Sequence, residues 1–186
     1  MNKRLIESAE YILESIEYSF DNLNCESIEE SVDLLTTANN VFVYGSGRSG
    51  LVGRTFAMRL MQLGLESYFI GETITPAVKP GDCVFFVSKT GETQTAIQAA
   101  EIVDNRVENS DIIVLTASPK SSLAKLGDVV IPLEAIENNE KNRKLAPLGT
   151  IFEDTAMIFL DGLIAVLMEE LGEYEEDIKD RHPILI

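Results

Sequence analysis

Apolar residues recur three and four apart at Leu5, Ile6, Ala9, Ile12, Leu13, Ile16 and Phe20, a spacing that predicts an amphipathic helix over residues 3–23. A second, shorter helix is predicted over Ser27–Ala38. The pattern then changes. Val41-Phe42-Val43-Tyr44 is an unbroken apolar run closed by Gly45, as expected of a strand buried on both faces. Further strands are predicted at Ser67–Ile70, Cys83–Val87, Ile112–Thr116 and Val129–Pro132. Between and after them, helices are predicted at Ser49–Leu63, Thr93–Asn105, Ser121–Leu126 and Ile151–Leu171. Gly64 marks a helix stop, and Val78-Lys79-Pro80-Gly81-Asp82 is a turn. Ile136–Leu145 is polar and charged, so a loop or an exposed helix, and Glu173–Ile186 is a tail that is first acidic and then apolar.

Strands that alternate with helices imply right-handed crossovers and a parallel sheet covered on both faces. The fold class is therefore α/β: a three-layer αβα sandwich around a five-stranded parallel sheet in the flavodoxin-like order 2-1-3-4-5. The 186 residues suit one well-buried domain. It divides into a helical segment 1–40, an α/β core 41–172 and a tail 173–186.

Composition narrows the partners. The formal net charge is −16. Nucleic acids and anionic lipid surfaces are bound by clustered Lys and Arg, so neither is an expected partner. The most apolar segment, Ile151–Met168, is interrupted by Glu153, Asp154 and Asp161, which suits a buried helix rather than a membrane span. The start, Met1-Asn2-Lys3-Arg4 followed by Glu7, Glu10 and Glu14, lacks the pattern of a signal peptide. The two cysteines, Cys25 and Cys83, have no metal-ligand spacing, and no metal is expected. These features together point to the reducing cytoplasm.

Two turns carry the chemistry. Gly45-Ser46-Gly47-Arg48-Ser49-Gly50 follows a strand and opens a helix. It formally satisfies G-x-G-x-x-G, and Glu72 stands where a ribose-binding acid would be in a dinucleotide site. Whatever the ligand, the physics is that of phosphate capture. Glycines admit the anion to the backbone, and unpaired N–H groups at the helix start point at it. Gly47, Arg48 and Ser49 are the candidate binding residues, with Arg48 a charged forked donor. A tight strand–helix turn with a capping serine would look the same.

The second turn, Ser88-Lys89-Thr90-Gly91-Glu92-Thr93, places hydroxyls at i, i+2 and i+5 around a glycine at another helix start. That arrangement can wrap several donors around one dianionic phosphate. A nucleotide P-loop, G-x-x-x-x-G-K-[ST], is absent from it. An ordinary N-cap with Glu92 as a first-turn acid is the plainer reading. Ser88, Lys89, Thr90, Gly91, Glu92 and Thr93 are candidate phosphate-binding residues.

This second turn resembles the S-x-S-G-x-T phosphate loop of sugar isomerase (SIS) domains, with Ser88, Thr90 and Thr93 on its hydroxyl positions. Within that superfamily the chain resembles the 6-phospho-3-hexuloisomerase family. The matching stretches are Gly45–Gly50, Gly53–Gly64, Gly71–Pro76, Pro147–Glu153 and Arg181-His182, in the same order. Three positions depart from the family pattern. Thr90 replaces serine, Lys89 replaces glycine, and Gln62 replaces a commonly seen histidine. The resemblance implies an SIS fold, no cofactor, and interconversion of 3-hexulose 6-phosphate and fructose 6-phosphate through an enediol. It implies Glu153 as the catalytic base and His182 as a proton-shuttling or orienting residue, in its own or a neighbouring subunit. It further implies a homotetramer with active sites between subunits. From the residues themselves, Thr150-Ile151-Phe152-Glu153 also reads as a T-x-x-E capping box opening the last helix. Another phosphosugar isomerase, of the arabinose 5-phosphate type, and a non-catalytic sugar-phosphate sensor remain the alternatives.

Overall fold

A computed structural model describes residues 2–136 and 139–184. Five parallel strands, β1 (Val41–Gly45), β2 (Ser67–Phe69), β3 (Cys83–Val87), β4 (Asp111–Thr116) and β5 (Val129–Pro132), form one sheet in the order β2-β1-β3-β4-β5. The expected architecture is the one observed. Alternation along each strand feeds two separate cores. Val41 and Val43, Cys83, Phe85 and Val87, and Ile113 and Leu115 face one side. Phe42, Val84 and Phe86, and Ile112 and Val114 face the other. All of these are at most 2 % exposed, which is why the strands read as continuous apolar runs. Burial also pushes the Cys83 thiol far above its usual range, so it stays protonated.

The first face is covered by α2 (Cys25–Thr37), α3 (Gly47–Gln62) and α6 (Thr150–Leu171), the second chiefly by α4 (Gln94–Arg106). An N-terminal helix, α1 (Asn2–Asp21), lies outside this sandwich against α6 and a short α5 (Asn139–Leu145). Its Tyr11 is buried with Ala146 and Ile151, and the Ser8 hydroxyl donates to the Leu145 carbonyl at 2.5 Å. The first helical segment therefore supports the loop that enters α6.

Several boundaries differ from expectation, each for a local reason. The second helix starts two residues early because the Asn24 side chain accepts from Ser27 N–H at 3.2 Å. The third starts at Gly47, with Ser46 as its N-cap. Of Ser121–Leu126, a 3₁₀ turn at Ala124–Leu126 is what forms. The expected tail contains a helix, α7 (Glu175–Asp180), whose first-turn acids suit the helix dipole. The apolar end of that tail falls partly on Leu185 and Ile186, outside the described residues; Ile184 is 95 % exposed. Among the described residues no helix is long and apolar enough to cross a membrane.

Candidate active site

Strand order reverses between β1 and β3, and this switch point decides where a ligand can sit. Gly45 and Val87 are register partners, so the segments after β1 and β3 leave the same edge side by side. Ser46 and Ser49 from the first turn, and Ser88, Lys89, Thr90 and Thr93 from the second, line one cleft of about 180 Å³.

The two N-cap hydroxyls among them are not spent on capping. Neither Ser46 nor Thr93, the N-caps of α3 and α4, bonds its own helix through its side chain. Ser88 Oγ accepts from Gly91 N–H at 3.2 Å, and Thr90 Oγ1 accepts from Glu92 N–H at 3.3 Å. A hydroxyl that accepts keeps its own O–H to donate. Gly91 has φ +61°, and a Cβ there would collide with the Ser121 hydroxyl, so glycine is required by both backbone and neighbour.

The second turn is also clasped from below. The Lys89 carbonyl accepts from Ala117 N–H at 3.1 Å and from the Thr116 hydroxyl at 3.2 Å, and the Gly91 carbonyl accepts from Leu123 N–H at 3.0 Å. The Glu92 carboxylate points away from the cleft and accepts from Ser122 N–H at 2.9 Å. That bond holds the Glu92 carboxyl below the usual glutamate range. Nothing in the six-residue motif announced this clasp; the signal was the cluster of small hydroxyl residues at Thr116, Ser118, Ser121 and Ser122.

Glu153 lies one turn into α6. Its side chain is 6 % exposed, and Ser49 Oγ donates to its Oε1 at 2.9 Å. The other oxygen, Oε2, is the one buried side-chain polar atom without a hydrogen-bond partner among the described residues. A buried acceptor left open costs stability, and such exceptions concentrate at functional sites. Gly149 packs so closely on this carboxylate that a Cβ there would collide with it. The T-x-x-E capping box does not form. Gly149 is the N-cap, Thr150 Oγ1 donates to the Pro147 carbonyl at 2.8 Å, and the Glu153 carboxylate is turned to Ser49 instead.

The remaining candidates are placed as follows. Gly47 opens α3 with φ +58°. Arg48 forms an ion pair with Asp154 and reaches the Thr150 hydroxyl at 3.4 Å, so it bridges the starts of α3 and α6. The Lys89 ammonium donates to the Leu148 carbonyl at 3.2 Å. Glu72, the acid of the dinucleotide reading, pairs with Arg54, whose guanidinium stacks on Phe69. His182 is exposed and is not among the residues that line the cleft. Its neighbour Arg181 is fixed at the far end of α3, bonded to the Gln62 carbonyl at 3.2 Å and to Glu173 at 2.7 and 3.0 Å. From Ser49 to Gln62 the helix rises about 20 Å at ~1.5 Å per residue.

Known proteins resemble this chain in sequence and fold. The SIS domain family matches residues 34–160. A Methanocaldococcus jannaschii protein named 3-hexulose-6-phosphate isomerase is 39 % identical over 155 residues, covering 83 % of this chain and 82 % of that protein. A Bacillus subtilis protein of the same name is 32 % identical over 174 residues, covering 92 % and 93 %. A crystal structure of a Methanococcus jannaschii protein, for which a 3-hexulose-6-phosphate isomerase function was inferred, superposes with a TM-score of 0.82 at 35 % identity. It covers 96 % of this chain and 97 % of that one. With its sheet order, its switch-point cleft and these relatives, the chain belongs to the SIS domain family and is a relative of the 3-hexulose-6-phosphate isomerases within it.

Proposed function

We propose that the protein is a phosphosugar isomerase that interconverts 3-hexulose 6-phosphate and fructose 6-phosphate. One observation carries this reading. Ser49, which lines the hydroxyl-rich cleft, also holds the buried Glu153 carboxylate, so a phosphate seat and a base are joined through a single side chain. The hydroxyls of Ser88, Thr90 and Thr93 and the N–H groups at the start of α4 receive the phosphate. The open Oε2 of Glu153 takes the proton from the carbon beside the carbonyl, an enediol forms, and the proton returns to the neighbouring carbon. Moving a carbonyl between C2 and C3 in this way leaves the overall oxidation state of the sugar unchanged.

In this reading Arg48 gathers the sugar end and is released from Asp154 as it does so. His182 serves the cleft of a neighbouring copy, as the distance along α3 favours. Exposed apolar side chains on α1, among them Leu5 at 72 % and Leu13 at 63 %, supply surface for a homotetramer. The whole chain acts as one domain.

The test is a coupled assay. The purified protein is incubated with fructose 6-phosphate and an active hexulose-phosphate synthase. Formaldehyde release is the expected result. If none appears, a panel including arabinose 5-phosphate decides whether another phosphosugar is the substrate.

A further inference from the structure

The turn that leads into the helix carrying the base is reached by Lys89, which lines the cleft. Its ammonium donates to the Leu148 carbonyl at 3.2 Å. Leu148 is an unusual residue for that place. It has φ +58°, a left-handed conformation that leucine disfavours, and its side chain is 96 % exposed. Packing of that side chain therefore does nothing to hold the turn.

Gly149 follows directly and forms the wall against which the Glu153 carboxylate rests. The turn 147–149 is thus the socket of the carboxylate. Behind it, Ala146 is buried with Tyr11 and Ile151. Ahead of it, Thr150 Oγ1 bonds the Pro147 carbonyl, and Glu153 N–H bonds the Gly149 carbonyl at 3.1 Å. On the cleft side the tie runs to Lys89, a member of the turn whose hydroxyls line the cleft.

We propose that Lys89 is a positioning residue for Glu153. It acts through the backbone of Leu148 and Gly149 rather than as a ligand of the phosphate, and it links the phosphate seat to the socket of the base. The proposal rests on Glu153 being the base of the isomerase reading above. Were the ammonium instead a phosphate ligand, its loss would weaken anion binding and leave the socket unchanged. The two roles therefore separate cleanly.

The experiment uses the full chain with Lys89→Met, which removes the donor, and Lys89→Arg, which keeps one. Four quantities are measured: kcat and KM for fructose 6-phosphate, competitive inhibition by inorganic phosphate, and amide hydrogen exchange at Thr150 and Glu153. In Lys89→Met, kcat falls about tenfold or more as the carboxylate loses its alignment. The inhibition constant of inorganic phosphate stays within about twofold, and exchange at the two amides speeds up about threefold or more. Lys89→Arg recovers most of kcat. A raised inhibition constant with kcat unchanged overturns the proposal, and so does unchanged exchange at both amides. Exchange needs no turnover. A wild-type protein inert toward fructose 6-phosphate would defeat the isomerase reading, while the link from Lys89 to the turn would still be decided.

Discussion

Ser49 Oγ donates to Glu153 Oε1 at 2.9 Å, joining the first turn of α3 to the first turn of α6. The carboxylate keeps its second oxygen open. Two substitutions separate holding from reacting. Glu153→Gln keeps the shape and removes the base, and should lower kcat by roughly 10²–10⁴-fold. Binding of fructose 6-phosphate, followed by thermal shift, should persist. Ser49→Ala leaves the carboxylate buried with neither oxygen bonded, and should cost roughly 1–3 kcal/mol in urea unfolding together with a drop in kcat.

Gly149 offers a sharper test, because it touches no substrate in the reading above. A methyl group there meets the Glu153 carboxylate. Gly149→Ala should displace the base and reduce kcat about 100-fold with little change in KM. Overpacking should also lower stability by about 1–3 kcal/mol. Wild-type kinetics in this variant would show that the socket tolerates movement, and that the close contact is not a constraint on catalysis.

Glu92 predicts a dependence on acid. Its folded-state pKa is depressed, first by the bond from Ser122 N–H. The stability it contributes is therefore fully present above its unfolded pKa and is lost as pH falls through the lower, folded value. The wild type should melt higher than Glu92→Ala at pH 7, and the gap should close below about pH 4. A gap that stays constant down to pH 3 would mean that the clasp does not use the ionised carboxylate.

The placement of His182 predicts complementation. His182→Ala and Glu153→Gln should each be poorly active as purified. When the two are co-expressed and assemble together, sites pairing an intact Glu153 with an intact His182 from another copy should restore roughly a quarter of wild-type activity, for two-fold pairing at random. A mixture no more active than the mean of its components would place both residues in one chain's site, or leave His182 without a role.

How much of this was legible in the chain differs by level. The strands were legible because each is buried on both faces, so Val41–Tyr44 and Cys83–Val87 appear as uninterrupted apolar runs. The two turns were legible because close backbone approach at a helix start demands glycine. A Cβ at Gly50 would lie 2.6 Å from the Gly45 carbonyl oxygen. The short helices were less so. Residues 121–126 carry capping hydroxyls suited to a helix, yet the Leu123 and Ser122 N–H groups are taken by the second turn and a 3₁₀ turn is what remains.

The contest over Glu153 was not decidable from spacing. T-x-x-E describes a capping box and a catalytic segment equally well. What settles the cap is a residue far away in sequence, Ser49, which takes the carboxylate. The ties from Lys89 to Leu148 and from Arg48 to Asp154 were hidden for the same reason. Their partners lie 59 and 106 positions distant, and a single sequence contains no record of such pairs.

The Arg181 clamp gives α3 a second use. One end of that helix lines the cleft through Ser49, and the other end grips the residue beside His182. The helix is then a ruler, about 20 Å long at its helical rise, that holds the two groups apart by a fixed amount. Arg181 thereby keeps the chain next to His182 at the end of α3 opposite the cleft. Should His182 serve the cleft of a neighbouring copy, as proposed, activity per chain will fall on dilution as the copies separate, a loss that a dilution series of the assay measures.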